Sequence, residues 1–391
     1  MQETEHAITA GEPDTGRSIR FAGREIPWSS WTDWRWQLRN RLRDLDTLER
    51  CFTLTEDERE AVRRRGGSLP LGITPYYANC MDPHDPDDPL RKTMIPRTAE
   101  FDVQPWERLD PLGEEDHMAA PGLVHTYPHK VLFLVTDFCA TYCRYCTRSR
   151  MVGSGEQPAD RRRWEAALDY IRARPAIRDV LLSGGDPLVL SDERLAWLLD
   201  RLREISHVEL IRIGTKIPAV LPQRITPALA GILGGVHPLW LSIHFTHPAE
   251  LTAEVAEACD RLSRAGIPLT SQSVLLAGVN DDPRTLQDLF NGLLNMRVKP
   301  YYLHQCDAVA GSSHFKTTIR QGLDLMRGLH GYLTGYAIPH YMVDAPGGGG
   351  KVPLTSEFVV GRKGDDLVLR NYEGALYRYP DPPERAAPAA G

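Results

Sequence analysis

A chain of 391 residues can bury a substantial core, as one large domain with appendages or as two domains. Its 42% apolar and 25% charged residues are ordinary for a soluble globular protein, and a net charge of −6 gives nucleic acid and membrane surfaces no footing as partners. No apolar run reaches 18 residues, which excludes a transmembrane helix, and the opening Met-Gln-Glu-Thr-Glu-His lacks a secretion signal's apolar core. Seven cysteines, an odd number, suit a reducing compartment, so a cytoplasmic location is expected.

Residues 1–27 are polar and read as a mobile tail. Trp28, Trp31, Trp34 and Trp36 lead into a helical spacing through Leu38, Leu42, Leu45 and Leu48. Such tryptophans can stack nucleic-acid bases, but in an acidic chain they are expected to pack against a neighbouring domain. Thr55, followed by Glu-Asp-Glu58, predicts a capped helix start, and the Asp- and Pro-rich residues 80–100 a wrapping arm. Together residues 28–125 read as a helical N-terminal arm. Basic triplets at Arg63–Arg65 and Arg161–Arg163 are flanked by acids and read as solvated helix faces.

From residue 126 the rhythm changes. Strand-like runs at 131–136, 179–183, 208–213, 239–245, 267–276 and 298–305 alternate with amphipathic stretches near 160–174, 191–205, 226–235, 249–265, 281–296 and 316–331. Ser191 and Thr226-Pro227 mark helix starts. Six such units over residues 126–345 predict an α/β fold, an incomplete (β/α)6 TIM-like barrel with its functional groups at the strand ends. Residues 346–391 follow as a glycine–lysine loop and a β-rich extension ending in a disordered Pro/Ala segment.

The strand ends carry the chemistry. After the first comes Cys139-Ala-Thr-Tyr-Cys143-Arg-Tyr-Cys146. Three thiolates so spaced can hold three irons of a [4Fe–4S] cluster and leave the fourth open to a small molecule. A structural zinc site using His125 or His129 as fourth ligand is the competing reading, although no second knuckle is present. A non-catalytic iron–sulfur or zinc module would leave the later motifs unexplained. Gly184-Gly185-Asp186 follows the second strand, as a tight turn or as bare backbone for a ligand. Gly347–Gly350 precedes Lys351, whose amine could form a Schiff base with pyridoxal phosphate. The Walker spacing fails at Val352.

Tyr145 within the cysteine motif matches the C-x3-C-x-aromatic-C pattern of radical S-adenosylmethionine enzymes. With Trp31-Thr-Asp-Trp-Arg-Trp-Gln, Ile73-Thr-Pro-Tyr-Tyr, Leu182-Ser-Gly-Gly-Asp186, Leu221-Pro-Gln-Arg-Ile-Thr226, Gln305-Cys-Asp307 and Val343-Asp-Ala-Pro-Gly-Gly-Gly-Gly-Lys351, the chain resembles the lysine 2,3-aminomutase family from about Trp31 to Tyr379. That resemblance implies three cofactors: a [4Fe–4S] cluster, S-adenosylmethionine and pyridoxal phosphate. It assigns the cluster to Cys139, Cys143 and Cys146, and S-adenosylmethionine to Tyr145, Gly184, Gly185, Asp186, His244 and Gln272. Lys351 would bind pyridoxal phosphate covalently, with Lys130, Gly348 and Gly349 around it. Arg148 would clamp the substrate α-carboxylate, and Asp307, Asp344 and His304 would meet its side chain. Paired carboxylates favour a cationic amino acid and reject glutamate.

The implied reaction moves an amino group from Cα to Cβ, most simply in L-lysine, with L-arginine in specialised-metabolite (antibiotic) biosynthesis as the alternative. A one-electron donor such as flavodoxin or ferredoxin and a homo-oligomeric state are further implied. The pattern departs in places. Thr126 and Lys130 stand where the family has two arginines near the cofactor phosphate, and His304 replaces a tyrosine. Ser242, Thr246 and Ser271 replace asparagines.

Overall fold

The structure is a computed structural model that describes residues 17–64, 69–155, 158–355, 358–364, 366–371 and 373–380. Residues 1–16 of the expected tail, Arg65 and the Pro/Ala segment after residue 380 lie outside the described residues. Residues 18–27, expected in that tail, instead form an antiparallel hairpin of β1 (Ser18–Phe21) and β2 (Arg24–Pro27). Ala22 and Gly23 take φ of 51° and 73°, the left-handed pair that a two-residue hairpin turn requires. Ile19, Phe21 and Ile26 then pack on the core.

The helical spacing from Leu38 to Leu48 is also broken. Helices Trp34–Arg39 and Leu45–Glu49 flank an extended stretch in which Leu42 bridges to Ile73. Asp44 caps the second helix through a reciprocal box with Thr47, which restarts it rather than continuing the first. Trp31 is buried between Phe21 and Trp36, and the Arg224 guanidinium lies 4.6 Å from the Trp34 ring, so the tryptophans pin the arm to the barrel. Thr55 caps helix Glu56–Arg64, exchanging hydrogen bonds with Glu58 at 2.8 and 3.2 Å. Glu58 in turn holds Arg91 of the wrapping arm at 2.9 and 2.7 Å, with both side chains closed to solvent.

The main sheet begins before residue 126. β3 (Met118–Ala120) and β4 (Leu123–Tyr127) run antiparallel and lead into β5 (Lys130–Thr136). Then β6 (Asp179–Gly184), β7 (Leu210–Thr215), β8 (Leu239–His244), β9 (Leu269–Leu275) and β10 (Lys299–Gln305) follow in parallel order. The long helices between them are Arg161–Arg172, Asp192–Arg203, Pro227–Gly234, Ala253–Arg264 and Pro283–Asn295, with Ser191 and Thr226 as caps where expected. Their apolar faces, Trp164, Leu198, Leu229, Leu262 and Leu289 among them, are buried in one core with Val180, Ile211 and Leu241 of the strands.

The expected six-strand barrel gains a seventh parallel strand. After helix Ile319–Leu329, β11 (His340–Ala345) pairs with β10, and β12 (Gly350–Pro353) folds back antiparallel on β11. Among the described residues no ladder joins β3 to β12, so the sheet stays open. Beyond it, β13 (Val359–Lys363), β14 (Asp366–Arg370) and β15 (Leu376–Pro380) form a separate antiparallel sheet. No helix among the described residues is long and apolar enough to cross a membrane.

Glu58→Ala leaves the Arg91 charge buried without its partner. It should destabilise the fold by about 3–5 kcal/mol, read as a fall in the denaturant midpoint.

Candidate active site

A cavity of about 530 Å³ runs along the barrel lumen. Every site residue expected from the sequence lines it except Gly349, which sits in the adjoining turn against Ala345. Strand ends do most of this gathering. Cys139 follows β5, Gly184 ends β6, His244 ends β8, and Asp307 lies just beyond β10.

At one end are Cys139, Cys143 and Cys146, all free thiols. Burial raises all three thiols, Cys146 to about 11, so binding iron must release their protons. His129 precedes β5 and Cys139 follows it, placing the two at opposite ends of a seven-residue strand. His125 is turned to the Tyr170 hydroxyl, 3.0 Å away. Neither histidine completes a zinc site with the cysteines. Tyr145 packs edge-on against Phe315, and its hydroxyl lies 2.9 Å from Thr246 Oγ1.

Gly185 crosses the cysteine loop at backbone distance. A Cβ there would lie 2.3 Å from the Phe138 carbonyl oxygen, so only glycine allows this approach. The Asp186 carboxylate borders the cavity and is already held by protein donors. It accepts hydrogen bonds from Thr215 Oγ1 (2.7 Å), Lys216 N (2.7 Å) and Leu188 N (3.1 Å), tying the β6 and β7 loops together. The motif also brings the Gly184 and Gly185 backbone to the lumen. Lys216, beside it, is buried against Glu250 at 2.5 Å.

The glycine run is a hairpin turn rather than a flexible loop. Asp344 and Lys351 are register partners across β11 and β12, and Lys351 Nζ donates to Asp344 Oδ2 at 2.7 Å. Gly348 has φ of 83°, and a Cβ on it would meet the His117 ring at 2.3 Å. Lys351 N donates to Tyr127 Oη at 2.7 Å, bridging the two sheet edges.

Asp307 accepts from Thr147 Oγ1 at 2.6 Å. Burial raises its carboxyl to about 6 against that hydrogen bond, with Asp344 adding repulsion. His304 Nδ1 is 3.6 Å from Asp344 Oδ2, but burial and Lys351 hold its pKa well below the ordinary value, so this contact is not an ion pair. Burial, then Lys216, lowers His244 to about 4, and it too is neutral. Arg148 is already engaged, its guanidinium bidentate on Glu114.

Three groups escaped the sequence reading. Glu114 is one. Arg212, on β7, faces the lumen beside Lys130 and donates to Asp179 at 2.8 Å. Tyr301 and Tyr302 both face the lumen because a bulge between Pro300 and Tyr302 breaks the alternation of β10. Their hydroxyls are 2.7 Å apart, and Arg212 and Tyr127 lie near Tyr302. A lone acid in a turn, a lone arginine in a strand and a tyrosine pair at a bulge carry no motif that would have revealed them.

A family model described as lysine-2,3-aminomutase matches residues 326–391, and one described as the radical SAM superfamily matches 133–289. An L-lysine 2,3-aminomutase of Clostridium subterminale is 46% identical over 359 residues, 92% of this chain and 86% of that protein. The chain belongs to the lysine 2,3-aminomutase family. An L-lysine 2,3-aminomutase of Bacillus subtilis is also 46% identical, covering 92% of this chain and 76% of its own length. A glutamate 2,3-aminomutase of Clostridioides difficile is 42% identical, covering 90% and 83% respectively.

The chain is thus a radical S-adenosylmethionine isomerase, and membership brings with it a [4Fe–4S] cluster, S-adenosylmethionine and pyridoxal phosphate. The residues fit all three. Three thiols and open glycine backbone share one end of the cavity, while Lys130, Arg212 and the Tyr302 hydroxyl make a cationic end suited to phosphate. Lys351 supplies the amine between them.

Gly185→Ala should displace the loop bearing Cys139 and cut iron per chain after anaerobic reconstitution to under about half. Gly231→Ala, whose Cβ meets nothing within 4 Å, should leave iron content unchanged.

Proposed function

We propose that this chain converts free L-lysine to β-lysine by moving its α-amino group to Cβ. The observation that carries this reading is the pair Asp307 and Asp344, two carboxylates lining one lumen with Lys351. Partly buried acids so placed are stabilised by a cation, and a cationic substrate side chain supplies one when the Lys351 amine is engaged with its cofactor. The cluster and S-adenosylmethionine, when bound, supply hydrogen-atom abstraction, and pyridoxal phosphate supplies electron delocalisation during nitrogen transfer.

The chain's own residues orient and exclude. Cys139, Cys143 and Cys146 would hold the cluster. Gly184 and Gly185, His244 and Gln272 would surround S-adenosylmethionine. Lys351 would anchor pyridoxal phosphate, with Lys130 at its phosphate and Gly348 against the ring. Arg148 would receive the α-carboxylate, and Asp307 and Asp344 the distal ammonium. L-arginine is the second reading, because Asp307, Asp344 and a neutral His304 offer its guanidinium the same acceptors they offer an ammonium.

A cytoplasmic setting belongs to this proposal, supported by seven free cysteines. So does a flavodoxin- or ferredoxin-type electron donor. A homo-oligomer is supported by the exposed Leu376, Tyr377 and Tyr379 of the C-terminal sheet.

Anaerobically reduced enzyme, supplied separately with L-lysine, L-arginine and L-glutamate, should give a β-amino product from lysine by mass spectrometry. Product from arginine alone would reverse the order of the two readings, and product from glutamate would defeat both. The Asp307 carboxyl, at about 6, is neutral below that pH and charged above it. Lysine binding should therefore tighten by up to about tenfold per unit as pH rises toward 6, then level off. Asp307→Asn should weaken binding and flatten that profile, measured by titration of unreduced enzyme.

A further inference from the structure

Arg148 enters the cavity held along one edge. Its Nε lies 3.0 and 3.1 Å from the two Glu114 oxygens and its Nη2 lies 2.8 Å from Oε1. Nη1 has a single, long hydrogen bond to Ser183 Oγ at 3.4 Å. Glu114 is itself buried, in a strap formed by residues 110–117. Arg150 reinforces that strap, reaching Asp110 at 3.1 Å, Glu115 at 2.8 Å and Glu114 at 3.6 Å.

The same strap grips the turn that carries Lys351. Gly347 N donates to the Pro111 carbonyl at 3.2 Å, and a Cβ on Gly113 would lie 3.0 Å from the Gly347 carbonyl carbon. His117, its Nδ1 2.8 Å from the Gly113 carbonyl, fills the space beside Gly348. Eight consecutive residues therefore touch both the guanidinium and the cofactor turn.

We propose that Glu114 is a positioning residue for the substrate α-carboxylate, acting through Arg148. It occupies the Nε edge so that the Nη edge faces the lumen, and the strap keeps that edge at a set spacing from the Lys351 turn. The substrate makes this spacing matter. Its α-nitrogen and α-carboxylate share one carbon, so their two receptors cannot drift independently without losing one contact. The inference rests on the aminomutase reading and on Arg148 as the carboxylate receptor.

Two effects of removing Glu114 have opposite signs. Losing its charge leaves Arg148 and Arg150 less neutralised, which by Coulomb attraction alone would draw a carboxylate in. Losing its grip frees the guanidinium to rotate, which weakens bidentate recognition. A positioning role requires that the second effect dominate.

The test titrates cofactor-loaded, unreduced enzyme with L-lysine and with L-lysinamide, which lacks the carboxylate charge, by calorimetry. Wild type should prefer lysine. Glu114→Gln should weaken lysine by about tenfold or more and leave lysinamide within about twofold. Glu114→Asp retains the charge but draws it back by one methylene, and should show the same selective loss. Tighter lysine binding by Glu114→Gln would make Glu114 a competitor for the guanidinium and overturn the proposal. Equal losses for both ligands, or unchanged binding in both variants, would overturn it as well. A wild type indifferent to the carboxylate would instead remove Arg148 as receptor, and the positioning role with it.

Discussion

An open parallel sheet leaves unpaired edges and a slot along its side, and the active site depends on how this slot is covered. Here the two edges meet through loops and single side chains rather than a ladder. Tyr127, at the end of β4, accepts from the Lys351 backbone, and Pro111 accepts from Gly347. These contacts hold the β11–β12 hairpin beside the cavity, which Lys351 lines. A freely moving glycine run would leave that amine at many distances from the cysteine loop. The close fit of Gly348 on His117 explains why the turn needs glycine at a position no ladder holds.

With the slot covered, charge organises the lumen along its length. Lys130 and Arg212 sit among Asp179, Tyr127 and Tyr302 at one end, and burial together with Arg212 lowers the Lys130 pKa. An anion arriving there would relieve that cation–cation repulsion. Asp307 and Asp344 occupy the middle, with Lys351 satisfying Asp344. Neutral imidazoles at His244 and His304 surround these charges without adding to them. Moving the Lys351 amine away from Asp344 leaves the middle short of a cation. On the proposed roles of Lys351 and Asp344, cofactor attachment and substrate recognition would be coupled through a single carboxylate.

Much of this was legible in the sequence because the barrel is built from local signals. Each expected barrel strand lies within two residues of the observed one at either end, since alternation and caps such as Thr226 are properties of a few neighbouring residues. Cys139 to Cys146 and Gly347 to Lys351 were visible for the same reason. The seventh strand was obscured because His340–Ala345 runs directly into a turn rather than a helix. The hairpin at residues 18–27 did have a signal, Ala22-Gly23 between alternating apolar residues, but the polar surroundings masked it. Glu114 and Arg212 carry no local mark at all. Their importance arises from partners 34 and 33 residues distant in the chain, which only folding brings within 3 Å.

Identity alone does not rank substrates in this family, because a glutamate enzyme at 42% stands close to lysine enzymes at 46%. The decision lies in the sign of a few partly buried charges. A glutamate side chain would add a third carboxylate beside Asp307 and Asp344, where burial first and the Asp344 charge after it already raise the Asp307 carboxyl to about 6. A cationic side chain does the opposite, drawing Asp307 back toward the ionised state and gaining attraction as it does so. Length then separates cations of equal charge. An ammonium can satisfy three acceptors from a point, whereas a guanidinium spreads five donors over a plane. The lumen at Asp307, Asp344 and His304 presents acceptors to either, so discrimination between lysine and arginine falls on reach. On the proposed roles, reach would be measured from where Arg148 and the Lys351 turn place the α-carbon, and both are held by the strap at residues 110–117.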